Sequence, residues 1–297
     1  MKALALYSLK GGVGKTTAAV HLAHLAAHAG RTTLLWDLDP QGSASWIYRV
    51  RVDAASRPKR WLREPAELWA AIRGSDWPGL DLLPADLALG GLEASLGREE
   101  EPVAALAAVL AELGTRYERI VLDCPPAFSR LVRCALQSVH ALVVPTIPTP
   151  LALRTLATLY PELKAERRRG LRVLPFFSMV DARKALHREV RAFARREGLG
   201  FLASEVPYSA RVESVTVQRR PLTAAASEAA AAPFVELARE IEAHLAADAD
   251  APRLGRARIA EFVQGLGRRP LSEDQPAPAG SNGPAPTRSP SASPERT

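Results

Sequence analysis

Cysteine is nearly absent from this chain. Two residues, Cys124 and Cys134, occur in 297. That is too few for a disulfide framework or a four-thiolate zinc site. Lysine is scarce as well: Lys2, Lys10, Lys15, Lys59, Lys164 and Lys184 make up the whole complement among 39 basic residues. No apolar run reaches the roughly 18 residues that a spanning helix needs. The opening MKALALYSLKGG has too short an apolar stretch for a secretory signal, and no small-residue cleavage site precedes its glycines. A cytosolic compartment is expected. What is present, 47% hydrophobic and 24% charged residues, is an ordinary soluble globular composition, which excludes a wholly disordered or collagen-like chain. The length suits one large α/β domain or two small ones. No internal repeat is found.

The formal charge of +7 is unevenly placed. Residues 151–220 hold 15 basic and 7 acidic side chains, a local +8, whereas residues 1–150 are nearly balanced at 16 and 15. A field this concentrated can attract nucleic acid or an acidic membrane surface. A set of solvated arginine-rich helix faces is the plainer alternative.

Short apolar runs alternate with helical stretches. Ala3–Ser8, Thr32–Trp36, Leu80–Leu83, Arg119–Leu122, His140–Val144 and Leu171–Phe177 read as buried strands, and Phe201–Val206 as a weaker one. Lys15–Ala29 is alanine-rich and stops at Gly30; further helices are expected near 100–114, 128–137, 151–166, 182–197 and 225–247. The pattern predicts an α/β fold, a mostly parallel twisted sheet with helices on both faces. Ligands then belong at the carboxyl ends of the strands. Residues 40–79 show no clear pattern despite Trp46, Trp61, Trp69 and Trp77. One domain over residues 1–250 is expected. A basic amphipathic helix is possible within 251–269, and a proline-rich disordered tail over 270–297.

Ser8-Leu-Lys-Gly-Gly-Val-Gly-Lys-Thr-Thr17 follows a strand and opens a helix. It fits a Walker A phosphate loop carrying an additional lysine, Lys10, at its start. Gly11, Gly12 and Gly14, with Val13 between them, let backbone N–H groups approach phosphate oxygens. Lys15 would neutralise the β and γ phosphates, and Thr16 would place its hydroxyl on Mg²⁺, with Thr17 beside it.

Asp37-Leu-Asp-Pro-Gln-Gly ends the second strand, and alternation puts Asp37 and Asp39 on one side. Beside a phosphate loop two carboxylates repel unless a metal intervenes. With Mg²⁺ they can hold its water shell and orient an attacking water. Arg119-Ile-Val-Leu-Asp-Cys-Pro-Pro has the form of a Walker B strand and brings Asp123 to the sheet edge, where it can hold a metal-bound water. Cys124 reads as an inert buried filler. Cys134 lies where related iron–sulfur reductases carry a cluster cysteine. No second cysteine lies upstream of Asp123, so a bridging cluster is excluded on ligand count.

With Lys10, DLDPQG and DCPP in place, the sequence resembles the ParA/MinD family of deviant Walker A ATPases over roughly residues 1–247. The resemblance implies ATP and Mg²⁺ as ligands and a face-to-face homodimer in the ATP state. It implies that Lys10 reaches the partner's nucleotide, that Asp39 orients the hydrolytic water and that Asp37 supports the metal. Met179 and Pro207 would line the adenine. The resemblance further implies slow hydrolysis stimulated by a ParB-like or cargo-adaptor protein.

Arg183, Lys184, Arg188, Arg191, Arg195 and Arg196 fall on one predicted helix, where Lys184, Arg188, Arg191 and Arg195 form a stripe. Arg211, Arg219 and Arg220 follow in a segment resembling the ParA region that contains DNA-contacting arginines. Non-specific DNA needs only such phosphate contacts. The Glu213-Ser-Val-Thr-Val-Gln-Arg-Arg-Pro run departs from the family's usual pattern. A first strand at residue 3 leaves no helix-turn-helix ahead of it, so direct operator binding is not expected. A nucleoid-associated, partitioning or positioning ATPase is the favoured reading. The alternatives are a MinD-like membrane switch, using the apolar face of Ile259, Phe262, Val263 and Leu266, and an amidoligase-type biosynthetic enzyme.

Overall fold

The computed structural model describes residues 1–51, 56–85, 88–165, 171–222, 229–247 and 256–266, with backbone only at 160–165, 256–257 and 266. The expected tail over 270–297 and Leu266's side chain lie outside the described residues. In chain order the strands are β1 (Lys2–Leu6), β2 (Thr33–Asp37), β3 (Arg73–Gly74), β4 (Leu80–Leu83), β5 (Arg119–Asp123), β6 (Ala141–Thr146), β7 (Arg172–Val180) and β8 (Glu205–Pro207). The helices are α1 (Lys15–His28), α2 (Ser43–Ile47), α3 (Pro65–Ala71), α4 (Leu89–Leu96), α5 (Pro102–Leu113), α6 (Arg130–Ser138), α7 (Pro150–Ala165), α8 (Ala185–Arg196), α9 (Ala210–Gln218), α10 (Ala232–Ala246) and α11 (Arg256–Leu266).

The strands form one sheet in the order β3-β4-β2-β5-β1-β6-β7-β8. Every neighbouring pair is parallel except β3 with β4, where a two-residue edge strand runs antiparallel. The inner strands are apolar throughout because helices cover both faces. Alternation along β1 illustrates the sorting. Ala3, Ala5 and Tyr7 join the core beneath α3 to α8 and α11, while Leu4 and Leu6 join the core beneath α1, α2, α9 and α10.

Several sequence expectations are corrected. The weak strand predicted at Phe201–Val206 shrinks to Glu205–Pro207, because Phe201 instead stacks on Phe177 with ring centroids 4.1 Å apart. The helix expected over 225–247 runs from Ala232, with Pro233 in its first turn; its first residues, 225–228, lie outside the described residues. The unpatterned stretch 40–79 contains α2, α3 and a 3-10 turn at Pro58–Arg60. Its tryptophans have separate roles. Trp61 is buried edge-on to Trp36, Trp69 donates to Glu112 at 2.8 Å, and Trp77 meets His24 edge-on.

Candidate nucleotide-binding site

The order of strands reverses around β1, so the loop leaving β1 opens into the crevice where such sheets bind ligands. That loop is residues 8–14. Gly12 and Gly14 have φ of 68° and 91°, a left-handed backbone that side chains resist. A Cβ on Gly14 would also stand 3.0 Å from the Ser178 hydroxyl. Gly11 and Gly12 face open space, and Val13 anchors the loop by burial. No side chain caps α1 at Gly14. Its first N–H groups are therefore left for an anion. Lys15 is buried and its Nζ donates to the Lys10 carbonyl at 3.2 Å. Burial lowers its pKa, while Asp123 and Asp39 pull it back up. Thr16, Thr17 and Lys10 are half-buried.

The carboxylates converge beside this loop by sheet register. Leu6 of β1, Asp123 of β5 and Asp37 of β2 are aligned across three adjacent strands. Asp37 is fully buried. Its Oδ2 accepts from Ser45 N at 2.9 Å and Ser45 Oγ at 2.8 Å, and its Oδ1 accepts from Asp39 N at 3.2 Å. Burial still pushes its pKa up to about 6. Leu38 is buried and Asp39 half-exposed, as alternation requires.

Asp123 is fully buried, and neither oxygen makes a well-formed hydrogen bond among the described residues, although the Thr16 hydroxyl faces it. Burial, then the neighbouring Asp37, raise its pKa well above the carboxylate range; the Thr16 hydroxyl and Lys15 offset this only in part. An unpaired buried carboxylate costs several kcal/mol. A dication near Asp123, Asp37 and Thr16 is the chemistry that fits. Among the described residues no three His, Cys, Asp or Glu side chains group as a metal cage. Mg²⁺ that shares phosphate and water ligands needs none. Cys124 is buried and its thiol pushed far upward by burial; like the buried Cys134, it is in no disulfide.

Beyond Gly14 and Thr17 lies a pocket of about 210 Å³, lined further by Phe176, Met179, Pro207 and Tyr208. A bulge in the β7–β8 pairing turns Met179 into a left-handed φ of 55°. For a non-glycine residue that costs roughly 1–2 kcal/mol. The strain is spent at the pocket wall.

The family model described as an AAA domain matches residues 1–172. The chromosome partitioning protein ParA of Caulobacter vibrioides is 30% identical over 256 residues, covering 81% of this chain and 94% of that protein. The chromosome-partitioning ATPase Soj of Treponema pallidum is 29% identical, covering 82% and 97%. The chain belongs to the ParA/MinD family of P-loop ATPases. Among solved structures, cobyrinic acid a,c-diamide synthase of Mycobacterium smegmatis with bound ADP and magnesium superposes with a TM-score of 0.68. It is 27% identical, covering 86% of this chain and 99% of that one.

In this family member the basic half is less free than its sequence suggests. The expected stripe of open cations along α8 is corrected. Arg191 is mostly buried and donates to Glu205 at 2.9 Å, and Arg195 donates to the same carboxylate at 2.8 Å, so both tie α8 to β8. Arg183 forks onto Asp181, holding that carboxyl down at about 2. Lys184, Arg188, Arg211 and Arg220 stay exposed. Arg219 takes a left-handed φ of 52°, donates to the Trp46 carbonyl at 2.9 Å and lies 3.9 Å over the Trp46 ring. Trp46 Nε1 in turn donates to the Thr216 carbonyl at 3.2 Å. Sequence reasoning missed this clasp, because nothing local pairs Trp46 with an arginine 173 positions away. Through it α2, held to Asp37 by Ser45, is fastened to α9.

The apolar face of α11 is already covered. Phe262 stacks on Phe193 at 3.8 Å, Ile259 is buried, and Arg258 pairs with Glu197 at 3.1 Å. Among the described residues no helix is long and apolar enough to cross a membrane.

Proposed function

We propose that this chain is a slow, Mg²⁺-dependent ATPase that dimerises on ATP and in that state binds DNA without sequence preference, partitioning or positioning a cargo. The observation that carries the reading is the convergence of the phosphate loop, three aspartates and an uncapped helix N-terminus at the carboxyl ends of the interior strands β1, β2 and β5. The loop's N–H groups and Lys15 hold the β and γ phosphates. Thr16, Asp123 and Asp37 would hold Mg²⁺, which would supply charge neutralisation at the phosphates. Asp39, the one of the three left partly open, orients the attacking water. Met179 and Pro207 bound the adenine. Lys10 extends to the partner's nucleotide and offsets the charge of two facing triphosphates.

Lys184, Arg188, Arg211 and Arg220, with Arg183, supply the phosphate contacts on DNA, and a dimer doubles them. Arg219 and Trp46 connect that surface to the metal side. A ParB-like or cargo-adaptor protein stimulates hydrolysis and release in a nucleoid-associated, cytoplasmic setting. The covered face of α11 weighs against membrane docking.

The test compares retention on non-specific DNA and on anionic liposomes with ATP and with ADP. Retention on DNA only with ATP is expected. Retention on lipid would favour the membrane reading. Retention on neither would favour a biosynthetic enzyme. Lys10→Ala should keep ATP binding but lose the ATP-dependent dimer in light scattering.

A further inference from the structure

A second cavity lies at the opposite end of the strands from the phosphate loop, between α1, α10 and the sheet. It measures about 280 Å³. Its walls are aliphatic, from Leu4, Leu25, Val235 and Ile241, and its charged lining is Arg31, Arg119, Arg239 and Glu242.

Arg119 decides what the cavity can hold. It opens β5, and alternation turns it to the same face as Val121, under α1 and α10. Only 3% of it is exposed. Its Nη2 donates to Glu242 at 2.9 Å. Its Nε and Nη1 are buried with no hydrogen-bond partner among the described residues. A guanidinium cannot shed its proton at physiological pH, so these donors stay charged and unmet. Glu242 cannot serve them, because it is shared with Arg31 at 3.2 Å. The lining thus sets three guanidinium groups against one carboxylate.

We propose that this cavity binds a small carboxylate with an apolar body, the carboxylate accepting from Arg119 and the body lying against the aliphatic walls. With Nη2 committed to Glu242, Nε or Nη1 is left to give the carboxylate a single charge-assisted hydrogen bond, stronger than one to a neutral acceptor. Inorganic phosphate would meet walls that cannot solvate its remaining oxygens. A neutral alcohol would leave the guanidinium uncompensated. The volume sits at the small end of ligand pockets, which suits a short aliphatic acid rather than a nucleotide.

The test is calorimetric titration and thermal melting of the full chain with hexanoate, 1-hexanol and inorganic phosphate as probes. Hexanoate is expected to bind one saturable site and raise the melting temperature, with an affinity at least about tenfold above hexanol. Arg119→Met should lower hexanoate affinity by about tenfold or more, to the level of hexanol, and Arg119→Lys by less. Phosphate binding that Arg119→Met leaves unchanged belongs to the phosphate loop. Arg239→Ala, at the exposed rim, should weaken hexanoate about threefold. The proposal is overturned by any of three results. These are no saturable hexanoate binding, equal affinity for hexanoate and hexanol, or undiminished hexanoate binding in a folded Arg119→Met protein. Should that variant not fold, undiminished binding by Arg239→Ala overturns it.

Discussion

Strand β5 carries a buried cation at one end and a buried anion at the other. Arg119 and Asp123 stand about 13 Å apart on the same face of one strand, each with polar atoms that no described residue satisfies. They differ in what surrounds them. Arg119 has an opposite charge in Glu242, and Asp123 has like charges in Asp37 and Asp39, offset only by Lys15 and the Thr16 hydroxyl. The cation is half-compensated within the fold. The anion is held ready for something that arrives with positive charge. A protein does not retain uncompensated buried charge for stability, so both ends read as places where the chain expects company.

The largest effect should come at the loop beside Asp123. Lys15→Ala is expected to lower nucleotide affinity by at least about 100-fold in calorimetry, because it removes the buried cation facing the phosphates and leaves the aspartates unopposed. Next, Asp123→Asn should raise the stability of the nucleotide-free protein by roughly 1–3 kcal/mol, read by denaturant titration, while abolishing Mg²⁺-dependent hydrolysis. Arg119→Met should move stability the other way, since it breaks the Arg119–Glu242 pair and leaves Glu242 with Arg31 alone. Equal signs for the two would break the contrast between a paired and an unpaired buried charge.

A smaller effect concerns the histidines of α1. Burial lowers His21 and His24 to about 4. The unfolded chain therefore takes up these protons first as pH falls. Their contribution is fully present above about pH 6.5 and is lost between there and about pH 4. Asp37, raised to about 6, acts in the opposite sense over part of this window. The difference between wild type and His24→Gln isolates one group. The variant should lose about 1–2 kcal/mol less than wild type between pH 7 and pH 5 in chemical denaturation. The smallest effect should be Trp46→Ala, which loosens α9 from α2. ATP-dependent DNA affinity should fall about three- to tenfold, with ATP affinity changing less.

Much of the site was legible before the fold was known. The glycines, Lys15, Asp37 and Asp123 sit where strand ends and turn chemistry require them, and parallel register then aligns the two carboxylates. What sequence could not supply was any partner distant along the chain. The α8 stripe had correct helical periodicity, yet Glu205 on β8 captures Arg191 and Arg195, and no local pattern carries that pairing. Arg119 belongs to the expected strand Arg119–Leu122, but nothing local says that α10 brings Glu242 to it. Residues 40–79 lacked a period because α2 and α3 are too short to show one.

Trp46 has a practical consequence. It is 57% exposed, whereas Trp36 and Trp61 are sealed in the core. Its indole faces a guanidinium that lies on the far side of the α2–α9 junction. Any opening of that junction changes the polarity around the one exposed tryptophan of the five, while Trp36, Trp61, Trp69 and Trp77 lie away from it. The chain therefore carries its own optical reporter of the link between metal side and basic surface, and needs no label to watch it.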